Sequence, residues 1–250
     1  MELIALGIIF FVTSMISVAT GSTSLITVPA MLQFGIEPRS AIATNMFALT
    51  LMSFGGTLSF RGTDSIDKSR LLFLALLTLA GSILGALLLI AVPSRNVPVI
   101  ISIFMIAAVL FSIPRRTTSD TLSKHSRVTE VAGYVATFVL GAYGGFFSGG
   151  YVTMLTAAFV ALFGMTFLQA VATTKLVYVF SSSVATIIFM WRGLVDYRLG
   201  ILLGVIMFLG AYLGGRLSIK IGDLWLRRIF FAAVIALALK ILLFDFLGQN

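Results

Sequence analysis

Apolar runs of one-membrane length recur along the chain, separated by short charged or turn-forming stretches. Ala41–Phe60, Leu71–Val92, Val97–Ile113, Ala170–Met190 and Leu199–Gly215 each read as a transmembrane helix, since a hydrocarbon core of about 30 Å needs roughly 20 apolar helical residues. Ile229–Leu247 reads as a further span whose Lys240 and Asp245 would snorkel at its end. Two runs are too long for one crossing. Leu3–Ile36 holds 34 residues without a charge, about 51 Å as a straight helix, and Val131–Thr174 holds 44, about 66 Å. The surplus must form a broken helix, a re-entrant piece or a buried loop, because lipid tolerates irregular backbone only where protein or a water-filled cavity satisfies it. The breakpoints are legible as Thr20-Gly21-Ser22-Thr23 and Ser148-Gly149-Gly150.

Those breakpoints are copies. Sliding the chain along itself by 129 residues aligns Gly21 with Gly150, Phe34-Gly35 with Phe163-Gly164, and Ala43-Thr44 with Ala172-Thr173, without a gap. The same shift matches Asp67 with Asp196, Gly81 with Gly210 and Gly85 with Gly214. The pattern predicts an all-α polytopic membrane protein of about eight spans. It is built from two repeats of four, residues 1–113 and 129–250, each with a broken or re-entrant helix, joined by a charged loop over 114–128. Internal repeats of this kind recur in transporters, whose site forms near the bilayer midplane from discontinuous helices.

Composition fixes the solvent. Hydrophobic residues make up 59% of the chain and charged residues 10%, with a mean hydropathy of +1.11, too few charges to cover a water-facing surface. The net charge of +8 lies in short loops between apolar runs, which argues against a nucleic-acid partner. With no cysteine and His125 as the single histidine, thiolate metal sites, disulfides and histidine relays are excluded, and no metal or cofactor is expected. The N-terminus carries Glu2 and no base before its apolar run, so it reads as a first span rather than a signal peptide.

A half-helix beginning just after Gly21 or Gly150 would turn unpaired N–H groups and a partial positive charge toward its start, which suits an anion. Gly21, Ser22, Thr23, Ser148, Gly149, Gly150 and Tyr151 are therefore candidate binding residues, with Ser24 and Thr153 as further donors. The alternative for each hydroxyl is ordinary N-capping. Lys175 lies inside a span and aligns with Met46. An ionisable group there is a functional candidate, with Thr173 and Thr174 beside it and Thr44 and Asn45 at the aligned positions. Asp67 and Asp196 read as helix caps, and the Gly81/Gly85 and Gly210/Gly214 pairs as helix-packing surfaces. All nine acids fall in or near loops or ends, so no buried carboxylate relay is visible.

The order of these motifs resembles the sulfite exporter TauE/SafE family: a Gly-rich break, an apolar run, Ala-x-x-Thr opening the next span, then Gly-x-x-Asp. Here the first copy reads TGSTSLITVPAMLQFG and AIATN, the second GAYGGFFSGGYVTMLTAAFVALFG, AVATTK and RGLVD. The resemblance implies transport of small inorganic or organic sulfur anions, such as sulfite or organosulfonates, in the inner (cell) membrane. An enzyme is not expected, for want of a His-Glu-x-x-His, a Gly-x-Ser-x-Gly or a buried carboxylate pair. The competing reading is a non-transporting membrane scaffold or assembly subunit. With eight full spans, ten loop bases fall on the side of both termini and six on the other, which predicts cytoplasmic termini.

Overall fold

The computed structural model describes residues 2–21, 23–61, 70–112 and 127–221, and the regular structure within them is helical. The helices are α1 (Glu2–Thr20), α2 (Ser24–Gln33), α3 (Pro38–Ser59), α4 (Leu71–Ala91), α5 (Val97–Ser112), α6 (Arg127–Phe146), α7 (Tyr151–Phe163), α8 (Phe167–Trp191) and α9 (Tyr197–Ile221). Among them α3, α4, α8 and α9 are long and apolar enough to cross a membrane. The expected span Ile229–Leu247, the cap at Asp67 and nearly all of the charged loop lie outside the described residues.

Both long apolar runs break where the sequence predicts. Gly21, at φ +69°, separates α1 from α2, and Gly150, at φ +77°, separates α6 from α7. These are left-handed conformations that glycine adopts freely and residues with a Cβ do not. Gly35 and Gly164, again 129 residues apart, end the two short helices at φ +77° and +65°. At ten and thirteen residues, α2 and α7 measure about 15 and 20 Å, so neither crosses a bilayer.

The contacts show that each short helix turns back. Phe163, at the end of α7, packs on Gly133 and Tyr134 in the first turns of α6, its ring 5.3 Å from that of Tyr134. Thus α6 and α7 enter and leave by one side. The first pair is arranged likewise: α1 and α3 both run parallel to α9, through Gly7–Ile206 and Gly214–Met15 on one side and Gly204–Leu51 and Gly55–Phe208 on the other. By contrast, α2 runs antiparallel to α3, with Thr23 against Met52 and Thr27 against Asn45. The excess apolar length is therefore housed in two re-entrant helical hairpins.

The hairpins enter from opposite faces. Although α3 and α8 occupy aligned positions in the sequence, they run antiparallel. Lys175, early in α8, lies against Gly56, late in α3, while Asp196, just past α8, donates its N–H to Thr44 early in α3 at 2.9 Å. Their starts are built alike. Glu37 caps α3 by accepting from the Ser40 N–H at 2.8 Å, with Pro38 at the first helical position, and Thr166 with Gln169 forms a reciprocal capping box at α8. Partial burial raises the Glu37 pKa, but hydrogen bonds from Ser40, Ser94 and Arg39 and the Arg39 charge bring it below the ordinary carboxyl value. Asp196 caps α9 as expected, accepting from the Leu199 N–H at 3.1 Å.

The fourth helix of each set packs across the molecule. Gly81 and Gly85 of α4 lie on α6, whereas Gly210 and Gly214 of α9 lie on α1. A Cβ on Gly81 would sit 2.7 Å from the Ala142 backbone nitrogen, and one on Gly210 would sit 2.8 Å from the Phe11 carbonyl oxygen. Backbone cannot move aside as a side chain can, so these glycines set the helix spacing. Gly81→Leu is expected to cost at least about 1–3 kcal/mol through overpacking. Size-exclusion profiles of the detergent-extracted protein, showing lost monodispersity relative to wild type, check this.

Candidate functional site

Helix breaks bring their own chemistry, because the first turn of a helix leaves N–H groups without intrahelical partners. In this protein the two breaks meet. Gly21 lies so close to the first turn of α7 that a Cβ there would be 2.6 Å from the Thr153 nitrogen, and a Cβ on Gly149 would be 2.7 Å from Leu25 Cδ2 in the first turn of α2. Ser24 at the start of α2 and Ser148 at the second break share a hydrogen bond of 2.6 Å between their hydroxyls. Each hairpin tip thus rests on the other's helix start.

The hydroxyls extend into one buried network. Asn45 of α3 donates from Nδ2 to Ser24 Oγ at 2.9 Å and accepts from Thr27 Oγ1 at 2.8 Å, so one amide braces both ends of the first turn of α2. Thr23 bonds Ser17 across the α1–α2 turn and donates to Met52 Sδ at 3.7 Å. Ordinary capping by side chains is not what occupies these residues. The Thr23 side chain makes no cap hydrogen bond to α2, and Gly150 at the start of α7 has no side chain to offer.

Between the tips lies a cavity of about 10 Å³, lined by Gly21, Thr23, Ser24, Ser148, Val152, Lys175 and Tyr178, with Leu49 and Met52 as its apolar side. Space on that scale holds roughly one water molecule, so the site is closed here. Lys175 is 3% exposed, and its Nζ donates to the Ser17 carbonyl at 3.4 Å. It does not snorkel to a surface. No carboxylate among the described residues pairs with it: Glu37 and Asp196 cap helices, and Glu130 lies 3.5 Å from Arg70. With the starts of α2 and α7 facing the same space, the lining presents partial positive charge and hydroxyl donors.

Among the residues singled out from the sequence, the structure brings Gly21, Thr23, Ser148 and Lys175 to the cavity wall and Asn45 directly behind it. Gly149 and Gly150 form the second tip, the Gly149 carbonyl accepting from the Tyr143 hydroxyl. Thr44 lies elsewhere, holding the Asp196 N–H at the α8–α9 turn. Tyr151 is fully buried under Gly144, its ring 5.2 Å from that of Tyr178, outside the cavity lining. Thr173 and Thr174 are buried in α8 away from that lining, and Ser22 is outside the described residues. Sequence reasoning missed Ser17, Thr27 and Tyr178. Helical spacing could have found two of them, since Thr27 follows Thr23 by four residues and Tyr178 follows Lys175 by three, each pair on one helix face.

An all-helical chain with membrane-length helices and a polar centre where two re-entrant hairpins touch is a multi-pass membrane protein of the transporter class. The chain belongs to the sulfite exporter TauE/SafE family, which it matches over residues 6–241. It is 32% identical over 234 residues, 93% of this chain and 89% of the relative, to the probable membrane transporter protein ORF9 of a Sinorhizobium species. The probable membrane transporter protein YfcA of Escherichia coli K12 is 29% identical over 252 residues, covering 98% and 92% of the two chains. A probable membrane transporter protein of Haemophilus influenzae is 27% identical over 221 residues, covering 87% and 85%. No solved structure matches the chain.

Proposed function

We propose that this membrane transporter carries small sulfur oxyanions, sulfite or organosulfonates, by alternating access at the cavity between the two hairpin tips. The observation that carries the reading is the convergence of two helix starts, neither capped by a side chain of its N-cap residue, on a space that also holds a buried lysine paired with no carboxylate among the described residues. Helix starts, hydroxyl donors and an ammonium together favour an anion. The family's description as sulfite exporters supports sulfur oxyanions as its class. On this reading residues 1–113 and 129–250 are two repeats of opposite sense, and each hairpin governs access from its own face. Purified protein in liposomes should exchange sulfite, methanesulfonate, thiosulfate or sulfate across the bilayer. Vesicles that move none of them would end the proposal.

Orientation follows from the same topology. Counting the long runs as hairpins rather than spans moves the loop bases: among the described residues Arg61, Arg70, Arg127, Arg216 and Lys220 then share one side, against Arg39, Arg95, Arg192 and Arg198 on the other, and the sequence joining α3 to α4 and α5 to α6 on that first side holds four more bases. Five bases against four, with four more in the joining sequence, favour a cytoplasmic first side with α1's start away from it, the reverse of the expectation from eight full spans. The chain has no cysteine, so the check is direct. In intact cells an impermeant maleimide should label Arg198→Cys and spare Lys220→Cys. The opposite pattern would reverse the orientation.

A further inference from the structure

We infer that Lys175 is a built-in cation that joins the first hairpin to the substrate anion and takes the place of an external coupling metal ion. The inference rests on the carrier reading above and concerns how the same site is driven.

The lysine is placed for this by three contacts. Its Nζ donates to the Ser17 carbonyl, which sits in the last turn of α1 and also accepts from the Gly21 N–H at 2.7 Å. The last carbonyls of a helix carry its partial negative charge, so this is where a cation is held. Its stem is held against Gly56 of α3, where a Cβ would lie 3.5 Å from Lys175 Cδ. Its third neighbour is the cavity itself, shared with Thr23, Ser24 and Ser148. The ammonium therefore bridges the end of α1 and the space in front of the starts of α2 and α7.

Charge accounting then decides the coupling. Two partial positive helix starts and one ammonium face the cavity, against the partial negative ends of α1 and α6, so the ammonium is the charge left over. An entering oxyanion supplies the counter-charge that no carboxylate among the described residues provides. A metal cation at the end of α1 would meet the ammonium and be repelled. Nor do the described residues contain a His, Cys, Asp or Glu cluster able to hold one nearby. The aligned position in the first half of the chain is Met46, whose Sδ accepts from the Tyr178 hydroxyl at 3.6 Å, so the other arm of the site supplies no second lysine.

The test uses the full chain in proteoliposomes with radiolabelled sulfite and methanesulfonate as probes. Wild-type uptake should be unchanged when N-methylglucamine replaces all sodium and potassium. Lys175→Met should lose uptake by about 100-fold, the scale of removing a buried charge partner, with an unshifted melting temperature in detergent. Lys175→Ala, which leaves a space, should regain part of its uptake with added sodium or propylammonium. Wild-type uptake that stops without sodium overturns the inference, as does undiminished uptake by Lys175→Met, or a Lys175→Ala defect that neither cation relieves. All three leave the carrier reading standing. Absence of uptake of either probe in every cation overturns the carrier reading instead.

Discussion

Gly21→Ala is expected to abolish most anion flux while the protein still inserts into the membrane. Two costs fall on this one methyl group. The backbone at φ +69° is left-handed, which costs a residue with a Cβ about 1–2 kcal/mol. The methyl would also stand 2.6 Å from the Thr153 nitrogen and 2.7 Å from Val152 Cβ, a clash of order 1–3 kcal/mol because backbone must yield. Relief can come only by parting the hairpin tips, which opens the cavity wall. Flux in liposomes should fall by tenfold or more, since about 1.4 kcal/mol is a factor of ten. Gly35→Ala separates the two costs. Its φ is +77°, yet nothing lies within 4 Å of the new methyl, so it should lose only about 1 kcal/mol of stability and no flux. Equal loss in both variants would show that backbone strain, not the meeting of the tips, is what matters.

Asn45→Leu should be the most damaging change among the buried polar residues. The amide is donor to Ser24 and acceptor for Thr27, so leucine removes two buried hydrogen bonds at about 0.5–1.5 kcal/mol each, leaves Ser24 to Ser148 and Thr27 to the Thr23 carbonyl, and frees the first turn of α2 from α3. A lower melting temperature and the near-complete loss of sulfite uptake are the expected results. Thr44→Val is the matched control. Its hydroxyl holds the Asp196 N–H and is not part of the cavity lining, so the variant should lose about 1 kcal/mol of stability and keep its flux. If Thr44→Val proved as inactive as Asn45→Leu, the boundary drawn here around the site would be wrong.

Much of this architecture was legible in the sequence because it depends on glycine and on length. Charge-free runs of 34 and 44 residues could not be single crossings, and the 129-residue shift that aligns the breaks also aligns four glycines of positive φ. Asp196 as a cap followed from its position before an apolar helix. The sense of the short helices did not follow. A hairpin tip inside a bilayer carries no charged residue to mark it, so a turn back and a continued crossing share one apolar pattern. For the same reason the loop-base count differs between eight full spans and the proposed hairpin topology. The place of Thr44 could not be read because its partner, Asp196, is 152 residues away. The Gly81/Gly85 and Gly210/Gly214 pairs promised close packing but could not name the helix they would meet.

That last feature bears on how the chain can be made. Because α9 lies along α1 and α3, and α4 along α6 and α8, each arm of the molecule is completed by a helix borrowed from the other. A fragment ending in the loop after α5 would be born with the flanks of α1 and α3 uncovered and with α4 lacking its bed. Synthesised alone, such a fragment has nothing to close upon. Produced together, the two fragments can clasp, so co-expressed pieces are expected to restore a carrier that neither piece yields singly.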